Sequence, residues 1–138
     1  MELIKKIWSQ PASDRPLLLT VTLLLITIKL GLKVMKFQTL QSLLEKISQP
    51  QKKRKYTQYK IIWAITIISP YIPGIVCLQR AMAAQFLLRK QGYPTDLRIG
   101  AAKNQAGEMI FHAWVENKGK AVIGGLGNMQ KKGFKPLI

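Results

Sequence analysis

The clearest indication of the fold comes from the segment Cys77-Leu78-Gln79-Arg80-Ala81-Met82-Ala83-Ala84-Gln85-Phe86-Leu87-Leu88-Arg89-Lys90-Gln91-Gly92. It follows a segment containing Pro70, Pro73 and Gly74, which ends any preceding helix. Strong helix formers fill the stretch, and Gly92 is a typical residue just after a helix C-terminus. The sequence therefore predicts a helix that begins near Cys77 and ends before Gly92.

Beyond this helix the pattern changes from helical to alternating. A turn at residues 93–95 is followed by two segments of alternating apolar and polar residues, 96–103 and 109–116. Asn117-Lys118-Gly119-Lys120 is a hairpin signal, and residues 121–123 form the next strand. Helices first and antiparallel strands last are typical of an α+β fold.

The N-terminal half is predicted to be helical. After an amphipathic lead-in at residues 1–12, we expect helices at 15–35, 40–47 and 58–68. Apolar residues cover almost all faces of the 15–35 helix, which predicts that it is largely buried. The polar, basic stretch 48–55 is the best candidate boundary, so residues 1–55 form a helical region and residues 56–138 a core, together in one compact unit.

Composition narrows the class of partner. The chain has 138 residues, 22 basic and six acidic, with a formal charge of +16. Such a charge favours an acidic peptide or protein, nucleic acid or an anionic membrane surface. Nucleic acid is disfavoured because no basic motif with interleaved aromatic residues and no zinc finger accompanies the charge. One cysteine and one histidine exclude an intramolecular disulfide and a cysteine/histidine zinc site, and no cofactor motif is present.

Membrane contact is not favoured by the apolar segments. The apolar run 17–28 is shorter than the roughly 20 residues that span a bilayer, and no signal-peptide cleavage site follows it. Residues 61–79 are uncharged, but Pro70 and Pro73 interrupt them. The prediction is a cytoplasmic protein with packed helices.

Two single residues are candidates for chemistry. Cys77 lies at the predicted first turn of a helix, where the positive end of the helix dipole favours a thiolate. His112 lies within a predicted strand. Alone, each has a structural alternative: Cys77 as a small buried apolar residue and His112 as a packed strand residue. Together they are a candidate nucleophile and general base.

The residues around this pair resemble a known family. The segments that carry the resemblance are Cys77 to Gln85, Leu87 to Gly92, Leu97-Arg98-Ile99-Gly100, His112-Ala113-Trp114-Val115-Glu116 and Val122-Ile123-Gly124-Gly125. They are similar to the nucleophile helix and following strands of the lasso-peptide maturation B protein, a transglutaminase-like cysteine peptidase. The resemblance covers about residues 60–138, and it implies a papain-like core with a nucleophile helix and a small antiparallel sheet.

The resemblance implies roles for individual residues. Cys77 matches the nucleophile and His112 the general base. The family's third member is an aspartate on or after the strand that follows the histidine, and no aspartate follows Asp96 in this chain. Asn128 is the nearest polar candidate for the third position. Asp96, at the start of a neighbouring strand, and Glu116 are weaker alternatives. Glu116 shares the face of His112 but lies about 13 Å along the strand at 3.3 Å per residue.

The function implied by this resemblance is removal of the leader peptide from a lasso-peptide precursor. The implied partners are the precursor leader, a separate leader-recognition protein and an asparagine-synthetase-like cyclase. The missing aspartate keeps a non-catalytic helper of the same fold as an alternative. A small basic membrane-associated protein is a third interpretation, which depends on the apolar helices and the charge.

Overall fold

A computed structural model describes residues 2–50, 55–103, 105–118, 120–123 and 135–136. The fold is α+β, with helices first and an antiparallel sheet last, as the sequence predicts. The helices are α1 (Glu2–Trp8), α2 (Arg15–Val34), α3 (Phe37–Ile47), α4 (Gln58–Ile68) and α5 (Cys77–Lys90). A 3₁₀ turn, Ser69–Tyr71, follows α4.

Local signals explain where these helices begin and end. Pro16 occupies the first turn of α2, where its missing N–H costs no helical hydrogen bond. The Thr57 hydroxyl accepts a hydrogen bond from the Lys60 N–H and caps α4. Gly92 has a φ of +87°, the left-handed conformation that closes α5. The first residues of α2, α4 and α5 are Arg15, Gln58 and Cys77, which confirms the predicted starts of these helices.

The sheet has the strand order β3-β2-β1-β4. Its strands are β1 (Asp96–Lys103), β2 (Met109–Asn117), β3 (Lys120–Ile123) and β4 (Lys135–Pro136). β1 and β2 pair antiparallel over the whole length of β1, with Gly100 opposite His112. β2 and β3 form the predicted hairpin, with Asn117 opposite Lys120. The two-residue β4 pairs with the other edge of β1.

Among the described residues, one hydrophobic core joins the helices to one face of the sheet. It contains buried residues of all five helices, and Leu97, Ala113, Val115 and Ile123 contribute from the strands. α5 lies between α2 and the sheet and contacts both. Buried Gln85 of α5 accepts a hydrogen bond from Gln41 of α3. The predicted division between residues 1–55 and 56–138 stays a prediction.

The interpretation of α2 as a largely buried helix is wrong. Five of its aliphatic side chains are exposed to solvent: Leu19, Leu23, Ile26, Leu30 and Val34. In the described part of the chain, α2 is the helix that is long and apolar enough to cross a membrane. Only 33% of its apolar 18-residue stretch is buried inside the protein. An apolar sequence on all faces did not produce burial on all faces, because the core covers one side of the helix only.

Candidate active site

Cys77 is the first residue of α5, as predicted from the preceding Pro-Gly segment. The N-cap residue, Val76, has no polar side chain and caps no helical N–H. The Gln79 side chain instead accepts a hydrogen bond of 3.0 Å from the Val76 N–H. Among the described residues, no acceptor meets the backbone N–H groups of Cys77, Leu78 or Gln79. These three donors therefore stay available beside the thiol.

The loop before Cys77 is held from two sides. Ile72 is buried in the core, and its N–H donates to the Ser69 carbonyl. The ammonium of Lys29, on α2, donates a hydrogen bond to the Pro73 carbonyl. Gly74 turns the chain with a φ of +82°, a conformation that most L-residues avoid. The start of α5 is thus fixed by contacts with α2 and with the core.

The Cys77 thiol lies against strand β2. Its Sγ atom accepts a hydrogen bond of 3.5 Å from the backbone N–H of Ala113. That N–H belongs to the peptide group joining His112 to Ala113. β3 pairs with β2 only from Val115 onward, so Cys77 lies at the part of the β2 edge that the described part of β3 leaves uncovered. The structure therefore brings the only cysteine to the backbone of the only histidine.

His112 is half-buried, and Gly100 is the residue opposite it on β1. Its imidazole ring is close to parallel with the indole of Trp114, with 6.3 Å between ring centroids. Side chains alternate along a strand, so His112, Trp114 and Glu116 share one face of β2 while Ala113 and Val115 face the helical core.

Trp114 is fully buried and connects the ring of His112 with a carboxylate. Its Nε1–H donates to Glu116 Oε2 at 2.8 Å. The other oxygen, Oε1, accepts from Arg98 Nε on β1 at 3.4 Å. Both oxygens of Glu116 are therefore engaged away from His112. Asp96 is exposed and lies opposite Glu116, at the far end of the strand pair.

Two further residues have different outcomes. Asn128, the candidate for the third position, lies outside the described residues. Arg80 lies one helical turn after Cys77 on α5. The ion pairs of the described part of the chain are Lys60–Asp14 and Arg98–Glu116, so Arg80 has no such partner there. Its side chain is half-buried on the same side of α5 as Cys77.

A thiol at the start of a helix that packs on an antiparallel sheet, next to a strand with a histidine, is consistent with a transglutaminase-like fold. Residues 22–138 match the family model of the Transglutaminase-like superfamily, and the chain belongs to this superfamily. Its members generally have Cys-His-Asp hydrolase or transferase activity, and they include cysteine peptidases. No curated protein and no solved structure matches the chain.

Sequence reasoning missed two residues of this region. Lys29 follows the apolar run 17–28 in the sequence, and its contact with Pro73 joins residues 44 positions apart. Local pattern carries no signal for such a contact. Gln79 did have a signal, because glutamine three residues after an N-cap is half of a capping box. The other half of a capping box is a polar N-cap side chain, and position 76 is a valine, so the sequence pattern was incomplete.

Proposed function

We propose that this protein is a cysteine peptidase that removes the leader from a lasso-peptide precursor, with Cys77 as nucleophile and His112 as general base. The observation that carries the proposal is the contact between Cys77 Sγ and the peptide group that follows His112. Nucleophile and base must lie within hydrogen-bond reach during the reaction, although this distance is often longer without substrate. The contact brings Cys77 Sγ to the backbone of β2 next to His112, and this supports the proposed pairing.

The proposed reaction is acyl transfer in two steps. His112 takes the thiol proton, and Cys77 Sγ attacks the carbonyl carbon of the last leader residue. The carbon–nitrogen bond breaks, the imidazolium gives its proton to the leaving amine, and a thioester remains. Water then adds to the thioester with His112 as base. The products are a leader with a free carboxylate, a core peptide with a free amine and the original thiol.

The oxyanion of each tetrahedral intermediate needs hydrogen-bond donors. The backbone N–H groups of Cys77 and Leu78 have no acceptor among the described residues and lie at the positive end of α5. Such donors stabilise developing negative charge without rearrangement. We assign the oxyanion to this helix terminus.

Substrate and partners follow from the charge of the chain and from the resemblance. A net charge of +16 favours acidic segments of a precursor or of a leader-recognition protein. Arg80 is the cation nearest to Cys77 along α5 and has no acidic partner in the described region, so we propose that it contacts the leader. The new amine would pass to an asparagine-synthetase-like cyclase in the cytoplasm.

The test is cleavage of a lasso precursor by the purified chain with its leader-recognition partner, followed by mass spectrometry. Cys77→Ala should abolish cleavage and leave the circular dichroism spectrum and partner binding unchanged. The matched control is Val76→Ala, which shortens the exposed neighbouring side chain and should retain activity. Cleavage by the Cys77→Ala variant at the wild-type rate would overturn the assignment.

We also propose Asn128 as the residue that orients His112, because an amide fills this role in Cys-His-Asn proteases. Glu116 is a poor alternative, since Trp114 and Arg98 engage both of its oxygens. Asn128→Ala should lower the cleavage rate, whereas Asn128→Asp should retain or raise it. If both variants cleave like the wild type, Asn128 has no orienting role.

A non-catalytic helper of the same fold is the second candidate. The observation in its favour is that no aspartate follows Asp96, although the superfamily generally uses a Cys-His-Asp site. The rate of Cys77 alkylation by iodoacetamide separates the two candidates. If the protein is a peptidase, Cys77 should be alkylated faster in the folded wild type than in the His112→Ala variant. If it is a non-catalytic helper, the two alkylation rates should be equal and slow.

A further inference from the structure

The outer surface of α2 carries a continuous row of exposed aliphatic side chains, which we call the apolar row. Their exposed fractions are 52% for Leu19, 66% for Leu23, 37% for Ile26, 55% for Leu30 and 80% for Val34. The spacing of three and four residues puts them on one side of the helix, over about 22 Å at 1.5 Å per residue. Exposed apolar rows of this length are uncommon on water-facing surfaces and mark interaction sites.

The apolar row continues onto α1. Ile4 and Trp8 are exposed there, and together with Leu19 they line a cavity of about 330 Å³. The guanidinium of Arg15 lies 4.7 Å from the centre of the Trp8 ring. Tryptophan beside a cation is typical of side chains at a membrane–water interface, where the ring and the charge meet different environments.

The threonine hydroxyls beside the row already have hydrogen-bond acceptors within α2. Thr20 and Thr27 are exposed next to the row, and their hydroxyls donate to the carbonyls of Pro16 and Leu23, one turn earlier, at 2.9 and 2.7 Å. A surface that meets hydrocarbon must satisfy its polar groups internally, because lipid tails offer no partner. A protein partner would impose no such condition.

The charges around the row are basic. From residue 3 to residue 36 the sole acid is Asp14, and its carboxylate is paired with Lys60 at 2.8 Å. Lys5, Lys33 and Lys36 are exposed on α1 and at the C-terminal end of α2. Lysines bordering an apolar helix face are attracted to the headgroups of anionic lipids.

We propose that the apolar row and the exposed side chains of α1 bind the surface of an anionic lipid bilayer, and that the protein works there as a peripheral membrane protein. α2 does not need to cross the bilayer. Its other side, formed by Leu17, Leu18, Val21, Leu25 and Ile28, is buried against the rest of the protein. The helix therefore lies in the plane of the interface, with its outer side among the headgroups and upper acyl chains. This surface is independent of the proposed peptidase activity.

The test is flotation of the full chain with phosphatidylcholine vesicles, alone or with about 30% phosphatidylglycerol as the anionic lipid. Wild type should float with the anionic vesicles only. The variant Leu23→Gln/Leu30→Gln should bind at least roughly tenfold more weakly, because it removes two exposed leucines from the row. The matched control is Leu43→Gln/Ile47→Gln, which changes two exposed aliphatic residues of α3. Equal losses in both variants would overturn the proposal.

The electrostatic part has its own variant. Lys33→Gln/Lys36→Gln should weaken binding to anionic vesicles roughly 25-fold, whereas Lys118→Gln/Lys120→Gln, at the hairpin, should weaken it much less. All these side chains are exposed, so circular dichroism should show folded variants. Equal binding of the wild type to neutral vesicles would contradict the role of charge. Absence of flotation would overturn the whole proposal. So would a dimer of the wild type that dissociates in the Leu23→Gln/Leu30→Gln variant, because the apolar row would then bind a second copy of the chain.

Discussion

α5 and α2 pack against each other, yet their burial is opposite to what their composition suggests. α5 is rich in alanine, glutamine and charged residues, and its central turns are buried from Ala81 to Gln85. α2 is rich in leucine and isoleucine, and one whole side of it is exposed. The difference follows from position. α5 lies between α2 and the sheet, where small side chains allow close approach, whereas α2 has neighbours on one side only.

This contrast separates two kinds of information in the sequence. Small residues on α5 specify a close packing distance, and Gln85 satisfies its amide with Gln41 and the Thr95 carbonyl. Large residues on α2 specify apolar character without saying what covers it. Apolar composition is thus a poor measure of burial for α2.

The largest expected effect comes from the buried side of α2. Leu18→Ala removes a fully buried side chain and should lower the free energy of unfolding by about 2–5 kcal/mol. Leu23→Ala, on the apolar row, should change it by less than about 0.5 kcal/mol. Urea unfolding followed by circular dichroism measures both. Similar losses in the two variants would mean that the outer side of α2 is covered in the folded protein.

The next test addresses the small residues of α5. Ala84→Leu inserts three carbons at a fully buried position, and the overpacking should cost about 1–3 kcal/mol. Thr27→Leu is the matched change on the outer side of α2, where open space receives the new side chain. Its free energy of unfolding should stay within about 0.5 kcal/mol of the wild type. The comparison fails if Ala84→Leu is equally harmless.

The particular residues show which features were predictable. Cys77 at a helix start and His112 on a strand followed from the Pro-Gly segment and from period-two alternation, which are local signals. The contact between Cys77 and residue 113 joins positions 36 apart, and no spacing rule predicts it. The exposure of Leu23 and Leu30 was mispredicted for a related reason, since burial depends on which elements surround α2.

A smaller effect is expected from a change in the loop before α5, which Lys29 of α2 contacts. Gly74 has a φ of +82°, and a Cβ atom there would lie 3.1 Å from Lys29 Cε. Gly74→Ala should therefore cost about 1–2 kcal/mol in unfolding free energy and should also change the rate of Cys77 alkylation. Gly107→Ala is the control, because Gly107 has a φ of +81° with nothing near the added atom. It should lower stability similarly and leave the alkylation rate unchanged.

The smallest effect is expected from Lys29, the side chain through which α2 reaches the start of α5. Lys29→Met keeps most of the aliphatic stem beside Gly74 and removes the donor to the Pro73 carbonyl. Loss of one hydrogen bond at this partly exposed position should lower the free energy of unfolding by about 1 kcal/mol. Because that carbonyl belongs to the loop that fixes Cys77, the alkylation rate should shift as well.

Lys33→Met is the matched control for this last prediction. It removes an exposed ammonium one turn further along α2, where it should alter stability by less than about 0.5 kcal/mol and leave Cys77 alkylation unchanged. Lys33 is exposed beside the apolar row, whereas Lys29 is half-buried with its ammonium on the Pro73 carbonyl, so Lys33→Met should weaken vesicle binding more than Lys29→Met. A change in thiol reactivity that occurs in Lys29→Met alone would show that α2 supports the nucleophile loop through this contact. Equal alkylation rates in the two variants would show that the contact between Lys29 and Pro73 does not support the nucleophile loop.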